Sequence, residues 1–146
     1  MHKGFTLLEL IVVIVILGIL ATLGYTQYDK QVESTRLAEA KVTIGSMRQL
    51  ATEYYWKNGS LNGIQNSDVG MDNACTSTSF FRYLINAYSS TSCYLQAYRC
   101  ISGGKTPNAA KSYNFYMIFT PATGGDGVWR CHYDDPGYPS CLGLPS

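Results

Sequence analysis

Apolar and polar positions fall in three successive patterns along the chain, and each predicts a different element. Residues 1–21, MHKGFTLLELIVVIVILGILA, begin with a short polar stub and continue as an apolar run interrupted by Glu9. Taken as a helix from Phe5 to Tyr25, the run is about 30 Å long at 1.5 Å per residue, the thickness of a bilayer's hydrocarbon layer. From Tyr28 the run gives way, without a breaker, to a one-sided pattern. Leu37, Ala40, Ile44, Met47, Ala51 and Tyr54 recur at spacings of three and four, as on an amphipathic helix. Glu33, Arg36, Glu39, Arg48 and Glu53 are expected on the opposite, solvated face. The helix should stop at Asn58-Gly59, where glycine takes the left-handed conformation that closes a helix end. The prediction is one helix from Phe5 to Lys57, about 80 Å long, apolar all round in its first half and on one side in its second. Gly18 and Gly24 are its weak points, each costing about 1 kcal/mol against alanine.

Residues 60–79 are polar, rich in Gly, Asn and Ser, and without a period, which predicts a loop packed over a sheet. Beyond them apolar residues alternate. FFRYLINAY puts Phe81, Tyr83, Ile85 and Ala87 on one side, Ser89-Ser90-Thr91-Ser92 turns the chain, and CYLQAYRCI returns. Residues 102–111 connect to a third strand, SYNFYMIFT, and PATGGDG turns into a fourth, VWRCHY. A four-stranded antiparallel meander follows, with one face free to cover the helix stripe, so the fold class is α+β. The tail DDPGYPSCLGLPS holds too many prolines and glycines to be a strand interior.

Composition narrows the class. Of 146 residues, about 120 remain after the apolar run, enough for one compact domain. The net charge of +1 shows no basic face for nucleic acid. Charged residues make up only 14% while Tyr and Gly number 12 and 14, which fits an exported, sheet-rich domain rather than a cytosolic enzyme. Cys75, Cys93, Cys100, Cys131 and Cys141 all lie beyond the helix, in the part that would be exported, where oxidation is permitted. Their odd number leaves one thiol over.

Glu9 is the residue that needs a reason. A charge inside a membrane-spanning helix costs roughly 2.5–3.5 kcal/mol and calls for a partner. A cut between Gly4 and Phe5 would create an α-amino group one helical turn before Glu9 on the same face. At this point a family is recognisable: KGFTLLELIVVIVILGILA resembles the class III signal of type IV pilins and of type II secretion pseudopilins, and the whole is most like a major type IV pilin. The resemblance implies cleavage after Gly4 by a prepilin peptidase and N-methylation of Phe5. It also implies that Glu9 neutralises the N-terminal amine of its own chain or a neighbour's during assembly. Because a buried charge without a partner is strongly unfavourable, such a pair biases packing towards one axial register.

The same resemblance implies a type IV pilin-like fold and a homo-oligomeric helical filament. An assembly platform in the inner membrane would receive the precursor, and the product would be an extracellular pilus. The corresponding parts are a leader at 1–4, an apolar helix at 5–27 and a head at 28–146. Within the head lie an amphipathic helix at 28–58, a loop at 59–79, a sheet at 80–133 and a C-terminal loop at 134–146. YYWKNGSLNG also resembles the helix-ending stretch of this family. A Cys131–Cys141 bridge would resemble the disulfide-closed C-terminal loop of many type IV pilins, and would stabilise by roughly 2–3 kcal/mol. Cys93 and Cys100 sit on opposite faces of one strand and do not pair with each other; Cys75 pairs with either. The proline that many family members carry after the apolar run is absent, since none precedes Pro107, so melting near Gly24 is less strongly encoded.

Other readings explain less. A secretory signal cut near Thr22-Leu23-Gly24 would have a very short n-region and no use for Glu9. A plain membrane anchor accounts for the length but for neither Gly4-Phe5 nor Glu9. A major pseudopilin would share the N-terminal pattern yet is expected to carry a dense acidic calcium loop. A membrane-tethered adhesin would use the head alone. His132 with Asp134 and Asp135 lacks the spacing of a zinc site, and Asp126 adds little towards calcium, so no metal or cofactor is expected. No phosphate loop, dinucleotide fingerprint or nucleophile elbow occurs, and catalysis is not expected. Tyr54, Tyr55 and Trp56 at the helix end, like the tyrosines of the strands, read as core and sheet residues of a small domain.

Overall fold

The computed structural model describes residues 6–124 and 127–133. By contacts the chain divides into two compact units, Met1–Thr35 and Arg36–Ser146. One helix, α1 (Leu7–Asn58), supplies residues to both. It runs on through Gly18 and Gly24, as expected where flanking residues are good helix formers.

In the first unit the large apolar side chains from Leu7 to Leu23 stand exposed on every side of the helix. Thr22, the hydroxyl in this run, donates back to the Ile19 carbonyl at 2.8 Å, which keeps its polar atom off the surface of the rod. By length and composition this stretch is able to cross a membrane. One expectation is corrected here: Glu33 is buried rather than solvated. It stands four residues before Leu37 and therefore continues the stripe instead of opposing it.

In the second unit the last turns of α1 carry that stripe into a core. Leu37, Ala40, Ile44, Met47 and Ala51 are buried and cluster with Phe81, Ile85, Leu95, Ala97, Phe115, Met117 and Phe119. The helix ends where expected. Gly59 takes φ +71°, and its N–H donates to the Tyr55 carbonyl at 2.7 Å, satisfying one of the orphan acceptors of the last turn.

The sheet is the expected antiparallel meander of β1 (Phe81–Ala87), β2 (Cys93–Arg99), β3 (Tyr113–Phe119) and β4 (Trp129–Tyr133), in that spatial order. Strict alternation fixes the register, because a one-residue slip would turn every apolar residue to solvent. Ala97 thus faces Tyr83 on one side and Phe115 on the other. Phe115 stacks edge-on against Phe81, with ring centres 5.9 Å apart, and at a tilt against Trp129 at 5.7 Å. Such pairs add about 0.5–1.5 kcal/mol to simple burial.

The loop before β1 is less shapeless than its composition suggests. It contains a 3-10 helix, Asn66–Val69, opened by a reciprocal box in which the Gln65 N–H donates to the Asp68 carboxylate at 2.8 Å. Leu61, Ile64 and Val69 are buried and fill one flank of the core. Asn66 donates from Nδ2 to the Tyr83 carbonyl at 2.7 Å and accepts the Ile85 N–H on Oδ1 at 3.0 Å. One amide side chain thereby covers the edge of β1 as a neighbouring strand would, a protection that open edges need.

Candidate functional site

The first turn of α1 is built by a reciprocal cap. The Thr6 N–H and the Thr6 hydroxyl both donate to Glu9 Oε2 at 2.8 Å, and the Glu9 N–H donates to Thr6 Oγ1 at 3.3 Å. Thr at the N-cap with Glu three residues on is the capping-box arrangement, and it satisfies two donors that a helix start leaves orphaned. An acid here also faces the positive end of the helix dipole. Glu9 is therefore held in place at the head of an otherwise apolar rod. Both contacts fall on Oε2, and Oε1 accepts no hydrogen bond from any described residue. Gly4 and Phe5 lie outside the described residues.

Sequence spacing located Glu9 but missed its partner within the chain, although the signal was present: T-x-x-E ahead of an apolar run is the sequence signature of a capping box. The carboxylate has a structural duty before any encounter with a second molecule.

Four of the cysteines now have defined states. Cys75 and Cys100 form a disulfide, with Cα atoms 5.8 Å apart, which decides between the two partners open to Cys75. It ties the loop before β1 to the β2–β3 connection. Cys93 is the free thiol among the described residues and is fully buried. Burial pushes that thiol up to about 12, so it is an inert core residue rather than a reactive one. Cys131 is buried on β4 and disulfide-bonded; Cys141, its expected partner, lies outside the described residues.

Arg99, which the sequence reading did not single out, braces the same corner. Its side chain is buried and donates from Nη1 to the carbonyls of Phe80 and Cys100, at 3.1 and 3.0 Å, and from Nη2 to that of Thr106 at 2.8 Å. The alternation of CYLQAYR places Arg99 in phase with inward-facing Cys93, Leu95 and Ala97, and that phase was the available signal. Thr106 is held at φ +86°, the one non-glycine residue with positive φ among those described.

Among the described residues no group of three potential metal ligands occurs. The acids weighed beside His132, namely Asp126, Asp134 and Asp135, lie outside them. Tyr55 packs against the core while Trp56 is exposed. The phenol of Tyr83 is pushed up by burial, partly offset by a hydrogen bond from Thr43, with Glu39 nearby adding to the rise.

Comparison with known proteins places the recognisable part of the chain at its N-terminus. Residues 1–25 match the prokaryotic N-terminal methylation motif. The chain is 35% identical over 71 residues to a fimbrial protein of Neisseria meningitidis serogroup B, a stretch covering 49% of this chain and 41% of that relative. It is 40% identical over 58 residues to the fimbrial protein EcpC of Eikenella corrodens, covering 40% and 38% of the two chains. To a type IV major pilin protein, PilE, of Neisseria gonorrhoeae it is 37% identical over 59 residues, covering 40% and 35%. The chain thus spans about two-fifths of the length of the curated relatives it matches. No solved structure gives a significant match. The resemblance to type IV pilins is borne out in the methylation motif, and the long helix followed by a four-stranded antiparallel sheet is consistent with their fold.

Proposed function

We propose that this chain is a structural subunit of a type IV pilus-like extracellular filament, polymerised through the first half of α1. The observation that carries the proposal is the methylation motif at residues 1–25, continuous with a helix whose apolar side chains are exposed all round. Exposed apolar surface of that extent marks a membrane or protein contact. A rod of this kind suits a membrane first and a bundle of its own copies afterwards.

In this reading a prepilin peptidase cuts after Gly4, Phe5 is N-methylated, and the mature subunit waits in the inner membrane for an assembly platform. Glu9 then meets the N-terminal amine of Phe5 of a neighbouring subunit, or of its own chain. The Thr6 cap supports this role by holding the carboxylate at the helix start, with Oε1 left for a second donor. Packing, not catalysis, is the function, and the relatives are pilin and fimbrial proteins. The Cys131–Cys141 bridge would close the C-terminal loop of the head. A major pseudopilin or a tethered adhesin would be distinguished by purification: a filament subunit dominates sheared surface fibres, whereas a tethered module stays with the membrane.

The test separates cap from charge. Glu9→Gln keeps an acceptor that closes a capping box but removes the negative charge; Glu9→Ala and Glu9→Val remove both. All three are expected to be exported and to fail in filament recruitment. Normal filaments from Glu9→Gln would show that the cap alone suffices, and normal filaments from Glu9→Ala would refute the pairing altogether. Gly4→Ala should accumulate as uncut precursor. Mass spectrometry of the mature wild type should find methylated Phe5 at the N-terminus, four cysteines bridged and one free.

A further inference from the structure

The end of the sheet away from the β1–β2 turn carries a cavity that assembly through α1 does not use. It encloses about 260 Å³ and is lined by Arg82, Tyr98, Arg99, Ser102, Ser112 and Asn114 among others. Arg82, Tyr98 and Asn114 are register partners across β1, β2 and β3, so they form one row on the outward face. The disulfide at Cys75 and Cys100 fixes the rim, and the buried Arg99 pins the connection that follows β2 through its three carbonyl contacts.

Among the described residues charge at this site is one-sided: Arg82 and Arg99 line the cavity and no acid does. Arg82 is half-buried, lies over the Tyr98 ring at 4.7 Å, and donates to the neutral amide oxygen of Asn73 at 3.3 Å. It forms no ion pair with any described residue. Its guanidinium is held against an aromatic ring, and among the described residues one hydrogen bond, to Asn73, uses its fork.

We propose that this cavity binds a sugar carboxylate, a hexuronate-type ring, with Arg82 taking the carboxylate. Three features select that chemistry. A single available guanidinium matches a monoanionic carboxylate, which it grips with two parallel hydrogen bonds, whereas a phosphate dianion calls for more cations than Arg82 alone. The hydroxyls of Ser102 and Ser112 and the amide of Asn114 suit sugar hydroxyls, which both donate and accept. The volume lies below the roughly 300–1,000 Å³ of pockets for larger ligands, and so admits one ring.

The test uses the full chain, isotope-labelled in detergent micelles, titrated with sodium glucuronate while the Arg82 side-chain N–H signal is followed by NMR. Glucose and sodium phosphate are run in parallel. Glucuronate is expected to bind about tenfold more tightly than either, the worth of one charge-assisted contact, and to shift the Arg82 signal. Arg82→Gln should abolish the preference for glucuronate over glucose while the strand amide signals stay in place. Arg82→Lys, which keeps the charge and loses the fork, should retain a reduced preference. Equal binding of glucose and glucuronate, tighter binding of phosphate, or an unchanged preference in Arg82→Gln would overturn the assignment. A trisaccharide carrying the uronate at its non-reducing end separates a glycan terminus from the free sugar: binding as tight as glucuronate assigns the former, weaker binding the latter, and the carboxylate contact stands in both.

Discussion

Leu17 and Ile44 belong to the same helix, yet Leu17 is 59% exposed and Ile44 is wholly buried. Helix propensity does not distinguish them. What differs is the surface each half was written for: residues 36–58 present one apolar stripe that the sheet covers, while the apolar run presents its whole circumference to something outside the chain. Burying a side chain of this size is worth about 1.5–3 kcal/mol. The second half of α1 gains that within its own unit. The first half has its large apolar side chains exposed and, on the function proposed above, gains it in hydrocarbon or among other copies, so the two halves of one element answer to different environments.

The sharpest way to break this comparison is to truncate a large apolar residue in each half. Phe115→Ala, against the second half of α1, should lower the stability of the head by about 3–5 kcal/mol, read as a fall in the thermal midpoint of the detergent-solubilised chain. Leu17→Ala should leave that midpoint where it was and show its effect only in filament yield. A comparable loss of head stability from Leu17→Ala would mean that the halves are not independent.

Next in size is the covalent tie, which the first unit lacks. Replacing Cys75 and Cys100 together by alanine should cost about 3 kcal/mol on the loop-entropy account; chemical denaturation reads it directly. The buried thiol comes third. Cys93 has its pKa raised to about 12 in the fold against about 8.5 for a free cysteine, so the unfolded chain sheds this proton first as pH rises. The contribution is full below about pH 8.5 and is lost as pH climbs towards 12, at up to about 1.4 kcal/mol per pH unit. Between pH 8 and 10, wild type should therefore lose more stability than Cys93→Ala. Identical pH profiles would show that the thiol is not the titrating group.

How much of this could be read from residues alone follows the same division. Alternation in β1 to β4 was legible because period two has one solution against a covered face, and the strand ends moved by no more than a residue or two. The stripe was legible for the same reason, and so was its stop at Gly59. Glu33 was misplaced because its charge was given more weight than its phase with Leu37. Asn66 left no local trace, since covering the edge of β1 is a contact across 17 and 19 residues of sequence. The choice of Cys100 for Cys75 was likewise a matter of tertiary geometry. At the candidate site Glu9 stands out by its cost in an apolar run, whereas Thr6 carries no charge to mark it as the partner of a carboxylate.

The smallest expected effect is also the cleanest contrast between the halves, because one substitution has opposite signs in them. At Gly24 an added Cβ meets nothing within 4 Å, and the residue sits inside a helix where alanine is favoured by about 1 kcal/mol. Gly24→Ala should stiffen the rod, seen as slower amide exchange around that position in micelles. Gly59 also has open space around a new Cβ, but its φ is +71°, where a side chain clashes with its own backbone. Gly59→Ala should lower the head's stability by about 1 kcal/mol. The sign is set by backbone conformation, not by contacts, because neither site crowds the new methyl group. If Gly59→Ala proved neutral, the helix end would be held by the Leu61 and Ile64 anchors beyond it rather than by the glycine.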